Sequence, residues 1–144
     1  MVFMKKVFVV FFVISALWAY AQDGEMDYND DLDYAQVQFV EASQTGGGNW
    51  TFSVTVRHAD EGWEHYCDRW EVVDPETKEL IARRELLHPH VNEQPFTRSK
   101  SGITIPEGMD KVLVRAACTL HGFDGKQVLV DFAKEKGENF SVSR

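Results

Sequence analysis

Residues 50–58 read WTFSVTVRH. Trp50, Phe52, Val54, Val56 and His58 fall on one side of an extended chain, and Thr51, Ser53, Thr55 and Arg57 on the other. Alternation of this length specifies a half-buried antiparallel strand, because a helix would scatter the same residues around its axis. Comparable stretches lie to either side: AQVQFVEAS (35–43), HYCDRWEVV (65–73), LIARRELLH (80–88), FTRSKSGITI (96–105), KVLVRAACTL (111–120) and KQVLVDF (126–132). Turn-forming runs separate them, notably GGGN (46–49), DPETKE (74–79), PEGMD (106–110) and HGFDG (121–125). About seven strands at this spacing predict an all-β chain, an immunoglobulin- or fibronectin-III-like antiparallel sandwich. Trp70, in the third strand, takes the place where such sandwiches bury a tryptophan. Residues 140–142 would add a short edge strand or fray.

The chain opens MVFMKKVFVVFFVISALWAYAQ. Lys5 and Lys6 precede a short apolar run that ends at Ala19-Tyr20-Ala21, the pattern of a signal peptide cleaved before Gln22. No cysteine follows the apolar run, which argues against a lipid anchor. Residues 1–21 therefore read as a signal peptide, and a periplasmic or extracellular location is expected, with no stable membrane insertion after cleavage. Removing them leaves 123 of the 144 residues, enough for one domain with one core. Two lysines go with the signal, so the formal net charge moves from −8 to −10. Such a chain repels nucleic acid and anionic lipid. Six acids crowd residues 23–33, and residues 22–34 read as a flexible acidic leader to a single domain at 35–144.

Function is carried by the five histidines. With consecutive strands running up and down, the connections ADEGWE (59–64), PHVNEQP (89–95) and HGFDG (121–125) all cross the same end of the sandwich. His58, His65, His88, His90 and His121 then gather at that pole, and the opposite turns carry none. Neutral imidazoles converging from loops on a rigid frame are suited to zinc or copper. The expected ligands are His58, His88, His90 and His121, with His88 and His90 held on one side of the chain around Pro89. His65, Asp60, Glu64, Glu93 and Asp124 are additional ligands or groups that orient them. His65 is the expected bystander, since its parity opposes that of Trp70. Met26 and Met109 lie off the pole, against a methionine-rich copper(I) carrier.

Cys67 and Cys118 are expected to form a cross-strand disulfide between neighbouring strands, with thiolate ligation of a metal as the alternative. Their parities disagree, so the pairing requires a bulge or a shifted register. Asp68, Arg84 and Arg98 share parity with apolar neighbours, and Asp68 is expected to pair with one of those arginines beneath the pole.

The block LLHPHVNEQPFTRS (86–99), with GWEHYCDRWEV (62–72), resembles a family of small exported bacterial proteins of unknown function, over about residues 50–130. The resemblance implies no activity. Three functions follow from the residues themselves. The first is a copper or zinc carrier, buffer or accessory factor, whose partners would be the ion and another exported protein. The second is a metal-free module that recognises a protein or glycan through Trp63, Phe123 and the histidines. The third is a small metal-dependent hydrolase with Glu64 or Glu93 as general base. No catalytic pattern accompanies the ligands, so an enzyme is the weakest of the three.

Overall fold

A computed structural model describes residues 26–144. The expected signal peptide and the first part of the leader lie outside the described residues. Eight strands follow in order: β1 (Gln36–Gln44), β2 (Trp50–Arg57), β3 (Cys67–Val73), β4 (Leu80–Glu85), β5 (Phe96–Ile103), β6 (Lys111–Cys118), β7 (Val128–Asp131) and β8 (Phe140–Ser143). They form two four-stranded sheets, β5-β2-β1-β8 and β4-β3-β6-β7. Neighbours pair antiparallel, except that β8 runs parallel to β1, with Val40 opposite Phe140.

The alternation of β2 appears directly in its burial. Trp50, Phe52, Val54 and Val56 are buried, while Thr51, Ser53 and Thr55 are only partly covered. The buried set joins Trp70, Val72, Val112, Val114 and Val130 of the other sheet in one apolar cluster, as in a β-sandwich. The outer residues of β2 pair with those of β5 through hydroxyl groups: Thr51 with Ser101 (2.9 Å), Ser53 with Ser99 (2.7 Å) and Thr55 with Thr97 (2.8 Å). That ladder holds the two strands in register on the wet face.

The second sheet carries a buried charge on its outer face. Glu71 is 2 % exposed and sits between Arg83 of β4 and Arg115 of β6, its direct cross-strand partners. Arg83 donates Nε and Nη2 to Oε1 (2.9 and 2.6 Å), and Arg115 donates Nε and Nη2 to Oε2 (3.1 and 2.9 Å). Four charge-assisted hydrogen bonds compensate the loss of water around the carboxylate. Phe123 lies 3.9 Å from the Arg115 guanidinium carbon and covers the group.

The ion pair expected for Asp68 is different. Asp68 accepts from Arg69 Nη1 at 2.8 Å, Arg98 pairs with Glu93, and Arg84 Nη1 donates to the Glu85 carbonyl. The reason is a bulge: Cys67 opposes Cys118 but Arg69 opposes Ala117, so Asp68 drops out of the ladder and out of phase with Trp70.

Glu71→Gln keeps the shape and removes the charge that both arginines bind. Urea unfolding should show a loss of about 2 kcal/mol, from weakened charge-assisted hydrogen bonds and two arginines left without a counter-charge.

Candidate metal centre

Two of the connections that cross the pole, 59–66 and 86–95, meet around one carboxylate. The third, 119–127, is tied to the first by the Thr119 N–H to the Tyr66 carbonyl and Thr119 Oγ1 to the Glu64 carbonyl. Asp60 has a fully buried side chain. Its Oδ1 accepts the His58 Nδ1–H at 2.6 Å and the Cys67 backbone N–H at 2.9 Å, and its Oδ2 accepts the His90 backbone N–H at 2.7 Å. Burial pushes this carboxyl up, but the hydrogen bonds from His58, His90 and Cys67 outweigh it and hold Asp60 below the ordinary carboxylate value. Gln94 ties the second loop to β2: its Oε1 accepts from the His58 backbone N–H (3.0 Å) and its Nε2 donates to the His90 carbonyl (3.1 Å).

With His58 Nδ1 committed to Asp60, the lone pair on Nε2 points into the pole. There it faces His65 Nε2 at 3.2 Å and the Asp33 carbonyl oxygen at 3.0 Å. His65 has a carboxylate on its other nitrogen too, with Glu61 Oε2 3.5 Å from Nδ1, and its Nε2 lies 3.3 Å from the same carbonyl. A carboxylate bonded at Nδ1, as Asp60 is at His58, favours the tautomer whose Nε2 is a lone pair. Two imidazole Nε2 atoms and a carbonyl oxygen thus converge on one point in a mostly buried setting. The convergence suits a metal ion that takes both nitrogens, and equally a His65 Nε2–H shared between His58 Nε2 and the Asp33 carbonyl.

Sulfur completes the set. Ligand atoms of His58, His65 and Cys118 all lie within 4.8 Å of one another, and all three residues are buried. The Cys118 sulfur accepts the His121 backbone N–H at 3.1 Å and lies 3.3 Å from His121 Nδ1. The His121 ring packs edge-on against His65 (centroids 5.3 Å) and beside Tyr34 (4.7 Å). Two imidazoles and a thiol, with a carbonyl oxygen and a third imidazole alongside, are a donor set for copper or zinc and unsuited to calcium.

Several expectations change here. His65, expected as a bystander, stands at the centre, because the Gly62–His65 bridge folds the loop back and turns its ring inward. The expected disulfide is absent: Cys67 and Cys118 face each other across the bulge, yet both are free thiols. Their sulfurs have different surroundings, Cys118 against His121 and the Asp33 carbonyl, Cys67 3.9 Å from the Arg69 carbonyl. Burial, then the Asp60 charge, push the Cys67 thiol well up, so it stays an inert packing group. Asp33 and Tyr34, assigned from their acidic surroundings to a flexible leader, are bonded to the pole. The Ala59 N–H donates to the Leu32 carbonyl (2.9 Å), the Asn29 N–H donates to the Asp124 carbonyl (2.9 Å), and Gln36 Nε2 donates to the Asn29, Asp31 and Tyr34 carbonyls. Gly125 permits this approach, since a Cβ there would stand 2.0 Å from the Ala35 carbonyl oxygen.

His88 and His90 do not join the convergent group; they lie on the far side of Asp60, with His90 Nδ1 4.0 Å from Asp60 Oδ2. Glu93 is engaged by Arg98 (3.1 and 3.3 Å). Glu64 contributes its carbonyl to Thr119 Oγ1 (3.0 Å), and Asp124 its carbonyl to Asn29. None of these three carboxylates is among the groups of converging ligand atoms in the described residues. The short spacings His58-Ala59-Asp60 and Cys118-Thr119-Leu120-His121 were the sequence signals for the two halves of the centre.

Because the folded value of Asp60 is depressed, its contribution to stability is present above the ordinary carboxylate pKa and is lost as pH falls through the lower folded one. Asp60→Asn should therefore be less stable than wild type at neutral pH, and the gap should narrow on acidification. Denaturant unfolding between about pH 2 and pH 6 reads this directly.

Over 101 residues, 70 % of its length, the chain is 42 % identical to a protein of Halomicrobium mukohataei that is provisionally named a lipoprotein. The matched region spans about half (49 %) of that relative. No family model matches the chain, and no solved structure does. Among the described residues no helix is long and apolar enough to cross a membrane.

Proposed function

We propose that this is an exported copper- or zinc-binding protein, a carrier, buffer or accessory factor, whose centre is formed by His58, His65 and Cys118 with His121 beside the sulfur. The observation that carries the reading is the pair of Nε2 atoms 3.2 Å apart, aimed at each other and at the Asp33 carbonyl, with carboxylates behind both rings. The relative's provisional lipoprotein name and the signal-type N-terminus support export to the periplasm or cell exterior. The strand orders β5-β2-β1 and β4-β3-β6-β7 support the immunoglobulin/fibronectin-III type for the frame, with β8 as an addition.

A metal-free binding module is the second reading, and one observation favours it. Among the described residues, the four most exposed large apolar side chains, Leu87 (75 %), Trp63 (68 %), Leu120 (65 %) and Val91 (53 %), all lie on the pole loops. A protein partner would bury them, around the metal or without it. A hydrolase gains less. Glu93, offered as general base, is held below the usual carboxylate range by the Arg98 guanidinium, which makes it a weak base.

Elemental analysis of the protein, exported and purified without a histidine tag or chelator, tests the first reading. Near-stoichiometric copper or zinc is expected, lost in a His58→Ala/His65→Ala variant. No metal in the wild type after exposure to both ions and dialysis would leave the pole as a protein-binding surface.

A further inference from the structure

His90 is the most unusual polar residue in the protein. It is 4 % exposed, and neither ring nitrogen has a hydrogen-bond partner among the described residues. A neutral imidazole carries one donor and one acceptor, and leaving both unmade in the interior is costly. Packing alone does not call for a histidine here. The ring stacks flat on Phe96 (centroids 4.1 Å, interplanar angle 7°), a contact that phenylalanine or leucine would serve without orphaned nitrogens.

The neighbour on its other side is His88. The two rings stand 4.5 Å apart, tilted by 37°. His88 is exposed, and its Nδ1–H donates to the Pro89 carbonyl at 3.0 Å, which leaves Nε2 as a lone pair. Pro89 stiffens the chain between the rings, and the Asp60 bond to the His90 backbone anchors one end of the pair.

We infer that His88 and His90 form a second transition-metal site, at the rim of the pole and separate from the His58–His65–Cys118 centre. An ion held by both rings gives His90 the partner it lacks, and water fills the remaining positions. Imidazole donors select Cu²⁺ or Zn²⁺. The rim site has two protein ligands and an exposed partner, so it binds more weakly than the inner centre and exchanges with solvent. Asp60 touches both sites, holding the His58 ring with one oxygen and the His90 backbone with the other. The inference does not depend on the inner centre being occupied.

Calorimetric titration with Zn²⁺ and with Cu²⁺, together with imidazole ¹⁵N spectra, tests it. Wild type should take up two equivalents, and His88→Ala, an exposed change that leaves the core intact, should take up one. The His58→Ala/His65→Ala variant should retain one equivalent, with the His88 and His90 ring nitrogens shifting as it fills. Adding His88→Ala to that variant should abolish the uptake or weaken it about tenfold or more. Uptake that is unchanged by His88→Ala in both backgrounds, or ring signals of His90 that do not move on saturation, would overturn the second site. Loss of binding confined to the His58→Ala/His65→Ala change would instead leave the inner centre as the sole site. Retention of both equivalents in that double variant would refute the inner centre alone.

Discussion

One buried carboxylate organises the functional end of this protein. Asp60 accepts hydrogen bonds from a histidine ring and from two backbone amides, one at the start of β3 and one in the loop after β4, and these donors offset its desolvation. The constraint acts in both directions. The carboxylate is tolerable in the interior because the end of β2, the start of β3 and the loop after β4 meet there, and those segments are held together because the carboxylate must be satisfied. The His58 tautomer, the His90 backbone position and the start of β3 all follow from it.

The protein contains a second buried carboxylate, and the contrast is instructive. Glu71 lies at mid-strand, flanked by its ladder partners Arg83 and Arg115, and its four hydrogen bonds come from full charges. That arrangement is closed: every carboxylate lone pair faces a guanidinium and nothing is directed elsewhere. Asp60 has no guanidinium against it but an imidazole ring, whose other nitrogen faces His65 and the Asp33 carbonyl. A closed pair fastens a sheet, whereas an open relay presents a ligand atom. The sandwich below and the tied loops above together hold His58, His65 and Cys118 close to one another.

Much of this was legible in the residues. The eight strands follow the alternation and the turn signals closely, because a half-buried sheet requires period two and only a few residue types make its turns. The gathering of histidines at one end followed from strand direction alone. The opposed parities of Cys67 and Cys118 called for an irregularity, and the bulge between Cys67 and Arg69 supplies it. Parity failed just past that bulge. It misplaced Asp68, and at His65, in a loop rather than a strand, it had no meaning. Composition misled at Asp33 and Tyr34, whose acidic neighbourhood suggested a solvated leader. What pins that segment is backbone hydrogen bonding to residues 59 and 124, together with Gln36, and composition carries no record of such bonds.

By itself, then, the sequence determined the all-β character, the strand directions and the end of the molecule at which imidazoles collect, since each depends on local periodicity and chain reversal. Only the tertiary structure decided which imidazoles converge. His58 and His65 meet because Asp60 turns one ring and the folded-back loop turns the other, and Cys118 meets them because the β3–β6 pairing sets its height in the sheet. His88 and His90 stay apart because the Asp60 carboxylate stands between them and the rest. Side-chain direction in loops is set by long-range hydrogen bonds, and these exist only once the sandwich has formed.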